Sequence, residues 1–200
     1  MLKFTKTTLG GKSMKIVDMV ESQLIASIKE DKDIQKAIDS RANIAFLLTG
    51  NLMNIPDMIL ELKSNGMYVF IHLDFIDGLS NTKSALQFIA KAWKPTGIIT
   101  TKSNVVKLAR EEGLMTIQRI FLIDRAAVQK GIENIRSCKP DAVEVLPGLM
   151  PKIIDDLSRK IKLPLIVGGL ISEEAEILAA LKAGALAVSS GNPAMWHFDL

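Results

Sequence analysis

Two stretches near the end of the chain, Gly168-Gly169 and Ser189-Ser190-Gly191, place small residues directly after aliphatic runs. A phosphate group needs such residues: without side chains in the way, backbone N–H groups close on the anion, and a nearby helix start adds positive potential. Two carboxylates stand in apolar surroundings, Asp74 in His72-Leu73-Asp74-Phe75 and Glu144 between Val143 and Val145. Each needs a cation or a hydrogen-bonding ligand, because an unpaired buried charge is costly. The candidate cations are Arg119, beside Gln118, and Lys102, in Thr100-Thr101-Lys102-Ser103-Asn104. Ion pairing within the protein and contact with a ligand explain Arg119 and Glu144 equally well. Together these groups suit a small phosphorylated molecule, either bound or, as an alternative, turned over with Asp74 and Glu144 as acid and base. Other chemistry has little support. The serines after the last strand have no obvious base, and no histidines or cysteines stand at metal-ligand spacing. Cys138 reads as a small buried filler, and His197 beside Trp196 reads as packing.

These residues need a frame that brings them to one place. One unit recurs: a short aliphatic run, a polar or glycine-containing turn, then an amphipathic stretch of helical length. Such alternation predicts parallel strands with crossover helices. Eight strands are expected, at Leu24–Ile28, Ile44–Thr49, Tyr68–Phe75, Gly97–Thr101, Thr116–Leu122, Ala142–Leu146, Leu165–Gly168 and Ala185–Ser189. Gly66, Gly113 and Gly184 stand where helices end, and the Lys94-Pro95 and Lys139-Pro140 pairs do the same work at two other junctions. Ser172, ahead of Glu173 and Glu174, is the expected cap of the last long helix. Eight units predict an α/β fold, a compact (β/α)8 TIM-type barrel, rather than an open doubly wound sheet. The turn after the first strand, Lys29 to Asp33, has no glycine for a dinucleotide. In such a barrel the functional groups lie at the carboxyl ends of the strands, where the candidates above fall. Strand alternation extended to Phe75 puts His72 and Asp74 inside, with Leu73 and Phe75 under the helices.

Composition narrows the class. Of the 200 residues 48% are hydrophobic and 24% charged, as in an ordinary globular domain. No apolar run approaches the roughly 20 residues of a membrane helix, and a single cysteine permits no internal disulfide, so a cytoplasmic protein without membrane contact is expected. Residues 1–13 are expected to be a disordered leader ahead of one barrel domain, 14–200. They carry Lys3, Lys6 and Lys12 and no acid; without those three lysines the 25 basic residues balance the 22 acidic ones. Bulk charge therefore gives no argument for nucleic acid, although Lys107 and Arg110, three apart on one predicted helix, suit a local basic patch. The sequence sets no oligomeric state.

Several segments resemble the glycerol-3-phosphate-responsive antiterminator family: IHLDFIDGL (71–79), GIITTKSNVVKLAREEGL (97–114), TIQRIFLID (116–124), KPDAVEVLPGLMPKII (139–154), PLIVGGLI (164–171) and ALAVSSGN (185–192). The resemblance runs from about residue 14 to the C-terminus. It implies a barrel that is a regulator and not an enzyme, with glycerol 3-phosphate as effector and no cofactor. Its partner would be the leader mRNA of glycerol-catabolism genes, whose premature termination it prevents. Carried onto this chain, phosphate binding falls on Gly168, Gly169, Ser190 and Gly191. Recognition of the glycerol hydroxyls falls on Asp74, Glu144 or Gln118, with Lys102 or Arg119 helping to neutralise the phosphate. An RNA role for Lys107 and Arg110 rests on the resemblance.

Overall fold

The computed structural model describes residues 8–9 and 12–200. Thr8–Leu9 pairs antiparallel with Lys12–Ser13, and the remainder of the expected leader lies outside the described residues. Eight parallel strands then close into a barrel: β1 (Leu24–Ile28), β2 (Ile44–Leu47), β3 (Tyr68–His72), β4 (Gly97–Thr100), β5 (Met115–Phe121), β6 (Ala142–Leu146), β7 (Leu165–Gly168) and β8 (Ala187–Ser190). Each strand pairs with the next in sequence, and β8 closes on β1 through the register Val188 to Leu24.

Among the described residues seven α-helices cover the outside: α1 (Ile34–Ile38), α2 (Ile55–Ser64), α3 (Lys83–Phe88), α4 (Ser103–Glu111), α5 (Arg125–Cys138), α6 (Pro151–Lys160) and α7 (Glu174–Lys182). After β8 there is only a 3-10 turn, Pro193–His197, whose Trp196 Nε1 donates to the Ser190 carbonyl at 2.7 Å. The glycines expected to end helices do so at positive φ, +82° at Gly66, +81° at Gly113 and +99° at Gly184. Lys94 and Lys139 take the same left-handed conformation ahead of their prolines. The expected cap Ser172 is displaced by one residue: Glu173 caps α7, and the Glu176 carboxylate turns back to accept from the Ser172 and Glu173 N–H groups at 2.8 and 3.1 Å.

Strands buried on both faces read as nearly continuous apolar runs, which is what parallel sheets require. The outward residues, such as Val69, Ile71, Val143 and Val167, pack under the helices. The inward residues of the lower barrel form a separate apolar plug, in which Phe46 and Phe70 meet edge to face at 5.9 Å and Ile16 and Met19 join the cluster. β3 is shorter than its sequence pattern suggests. It stops at His72, and Leu73–Phe75 form a 3-10 turn, so strand alternation no longer sets where Asp74 and Phe75 point.

Candidate functional site at the barrel mouth

Above the apolar plug the interior turns polar. Arg119 on β5 lies directly opposite Glu144 on β6, and Gly168 on β7 lies opposite Ser189 on β8. The Glu144 carboxylate is engaged on both oxygens: it accepts from Arg119 Nε at 2.6 Å and from Ser189 Oγ at 2.7 Å. Arg119 and Glu144 are almost fully buried, so each compensates a charge that neither could carry alone. Arg119 uses only Nε in this pair. Its two terminal guanidinium nitrogens have no acceptor among the described residues and suit an anion arriving from the mouth.

His72 ends β3 beside this network and is 1% exposed. Neither ring nitrogen has a hydrogen-bond partner among the described residues. Burial, and then the positive charge of Arg119, push its pKa down to about 3, against a smaller upward pull from Asp74. At neutral pH it is an uncharged imidazole with one donor and one acceptor to offer. The Phe75 ring packs edge-on against it at 4.6 Å, folding back over the mouth rather than lying under the helices as strand alternation had suggested.

Asp74 is engaged by partners within the protein. Its carboxylate accepts from Lys102 Nζ at 3.0 Å, from the Thr101 N–H at 3.2 Å and from the hydroxyls of Thr100 and Thr101. Burial alone would raise its pKa, but Lys102 and the Thr101 N–H outweigh that and hold it below its ordinary value. Asp74 thus fastens the loop after β3 to the loop after β4, and Lys102 reaches the mouth as its partner.

Gln118 is not at the mouth. Its neighbours Ile117 and Arg119 point inward, so Gln118 points outward, between the barrel and its helices. Its amide nitrogen donates to the Thr101 carbonyl at 2.7 Å, and its oxygen accepts from Cys138 Sγ at 3.4 Å. The assignment of Gln118 to ligand hydroxyls is therefore corrected, because the pleat of β5 gives the mouth to Arg119. Strand parity also separates the two serines of β8. Ser189 faces the interior, whereas Ser190 accepts from the Asn192 N–H at 3.2 Å and shapes the following turn.

The glycines differ in what they do. A Cβ on Gly168 would collide with Ser189 Oγ, so this glycine on β7 leaves the room in which Glu144 on β6 and Ser189 on β8 meet. Gly169 has φ +75°, and its carbonyl accepts from the Gly148 N–H at 3.2 Å, joining the loops after β7 and β6. A Cβ on Gly191 would lie 2.6 Å from Lys29 Nζ, so the missing side chain lets that ammonium rest over the turn after β8. Lys29, directly after β1, forms no ion pair among the described residues. No motif singles it out in the sequence; its position at the carboxyl end of a strand is the available signal. Lys107 and Arg110, on α4, lie away from this mouth; they bond Ser137 Oγ at 3.0 Å and the Cys138 carbonyl at 3.4 Å.

The result is a closed eight-stranded βα barrel with cations and glycine-lined turns at its mouth. The family of glycerol-3-phosphate responsive antiterminators matches residues 24–196, and the chain belongs to that family. Among curated relatives, the uncharacterized protein YgcP of Escherichia coli is 36% identical over 176 residues, covering 88% of this chain and 92% of its own length. Two solved structures agree over most of the barrel. A glycerol uptake operon antiterminator regulatory protein from Listeria monocytogenes is 27% identical, with a TM-score of 0.83 over 95% of this chain and 98% of its own. A glycerol uptake operon antiterminator-related protein from Thermotoga maritima is 31% identical, with a TM-score of 0.77 over 86% of this chain and 96% of its own.

Proposed function

We propose that this protein is a cytoplasmic, glycerol-3-phosphate-responsive, RNA-binding antiterminator that acts on the leader mRNA of glycerol-catabolism genes and is not an enzyme. Membership of the family supports the regulatory reading. The observation that carries the ligand reading is the charge arrangement at the mouth. Both carboxylates there are already neutralised, Glu144 by Arg119 and Asp74 by Lys102, while the terminal nitrogens of Arg119 and the Lys29 ammonium lack acidic partners among the described residues. The surplus is cationic and suits a phosphate. The neutral His72 imidazole and the Ser189 hydroxyl suit the glycerol oxygens.

The same geometry argues against turnover. The two carboxylates that an acid–base reaction would use are both engaged within the protein, Asp74 by Lys102 and the Thr101 N–H and Glu144 by Arg119 and Ser189. Calorimetric titration with glycerol 3-phosphate, with glycerol and inorganic phosphate as controls and product assayed in the same samples, tests the reading. Saturable binding of glycerol 3-phosphate without product is expected, together with its loss in Gly169→Val. Product formation would overturn the regulator, and no binding would overturn the effector.

A further inference from the structure

We propose that the groove between the ends of α5 and α6, on the face opposite the mouth, binds the phosphodiester backbone of RNA; this rests on the antiterminator reading above. Arg136 and Lys139 from the end of α5, with Lys160 from the end of α6 and Lys162 from its connection to β7, line a cavity of about 330 Å³. None of the four forms an ion pair among the described residues. The nearby acids are engaged elsewhere. Asp141 accepts from the Thr116 N–H and hydroxyl, Glu133 faces Lys130 and Gln129, and Asp155 and Asp156 both face Arg159. Lys107 and Arg110 join the same basic face, because their bonds to Ser137 and the Cys138 carbonyl hold them against the end of α5.

The concentration of positive charge is local, since the chain carries a net charge of only +3. Local unpaired cations are what an anionic polymer requires, because each phosphate neutralised releases a counterion. The floor decides between polymers and membranes. Ile135 and Ile161 are buried at the bottom of the groove, 4% and 5% exposed, with the cations around them. A lipid surface would need apolar side chains that protrude into it. A sunken apolar floor within a cationic rim instead receives a ribose or base while the rim holds the backbone.

The test is fluorescence anisotropy of the full chain with a labelled mixed-sequence single-stranded RNA, with and without glycerol 3-phosphate. It compares K139E/K160E with K15E/K182E, which changes charge equally at exposed sites elsewhere. The groove variant is expected to bind at least about tenfold more weakly, with a salt slope shallower by about 1.4 for two lost phosphate contacts. The control is expected to stay within about twofold, and both variants to keep wild-type glycerol 3-phosphate affinity and thermal midpoint. Equal losses in the two variants, or no loss in K139E/K160E, would overturn the groove while leaving RNA binding in place. A wild-type chain that binds phosphatidylglycerol vesicles but no RNA would overturn both.

Discussion

The barrel interior holds two regions built from the same strands that share almost no chemistry. The lower half is filled by Ile25, Ile44, Phe46, Phe70, Ile99 and Ile117, which pack into one apolar plug. One step further along the strands, His72, Arg119, Glu144 and Ser189 take the same inward positions. The plug draws its stability from burial, which is non-directional and tolerant of sequence. The upper half depends on directed hydrogen bonds between charged groups, where removing one member strands the other in a dry interior. Apolar side chains also stand exposed at the loops around the mouth, among them Met53, Phe75, Ile123 and Leu170, whereas the basal groove keeps its isoleucines covered. One end thus gathers directed polar groups inside the barrel, whereas the other carries its unpaired cations on the outer surface.

The comparison breaks most visibly at Glu144. Replacement by Ala leaves the Arg119 guanidinium buried without its partner and is expected to cost about 3–5 kcal/mol in urea unfolding, with loss of glycerol 3-phosphate binding. In the lower half, Ile117→Ala is expected to cost about 3 kcal/mol through the cavity it leaves, yet to retain ligand affinity within about twofold. If both variants lose affinity in proportion to stability, the two halves are not functionally separate.

His72 sharpens the comparison through pH. Its folded pKa lies below the ordinary 6.5, so the unfolded chain takes up a proton first as the pH falls. The associated stability is fully present above about pH 6.5 and is lost on acidification towards pH 3, at up to about 1.4 kcal/mol per pH unit. Asp74, whose pKa is also lowered, adds to the loss only below its ordinary value of 3.8. Urea unfolding of wild type and His72→Phe between pH 7 and pH 4.5 is expected to show a shallower decline in the variant. The smallest effect on the fold is expected at Lys29. Lys29→Met should leave stability within about 0.5 kcal/mol but weaken glycerol 3-phosphate about tenfold, because the ammonium lies over the Gly191 turn without supporting any packing. Unchanged calorimetric affinity would remove Lys29 from the phosphate site.

The order of strands and helices was legible in the residues alone, because aliphatic runs of strand length punctuated by glycine and Lys-Pro junctions admit few other folds. The expectation that functional groups gather at the carboxyl ends followed from the barrel, and the pairing of Arg119 with Glu144 was one of the two readings left open by a carboxylate between valines. Other features depended on distances that no local pattern carries. β3 gave way to a 3-10 turn one residue before Asp74, so that carboxylate joined Lys102 and Thr101 across a loop. Gln118 and Ser190 sit one residue from inward-facing neighbours, and the pleat sends them the other way. Lys29 meets Gly191, and Arg136 and Lys139 meet Lys160 and Lys162, only because closing the barrel brings distant segments together. Sequence determined which runs become strands and helices and in what order, since periodicity is a local property. Tertiary closure decided which charges face one another, since that depends on register between segments far apart in the chain.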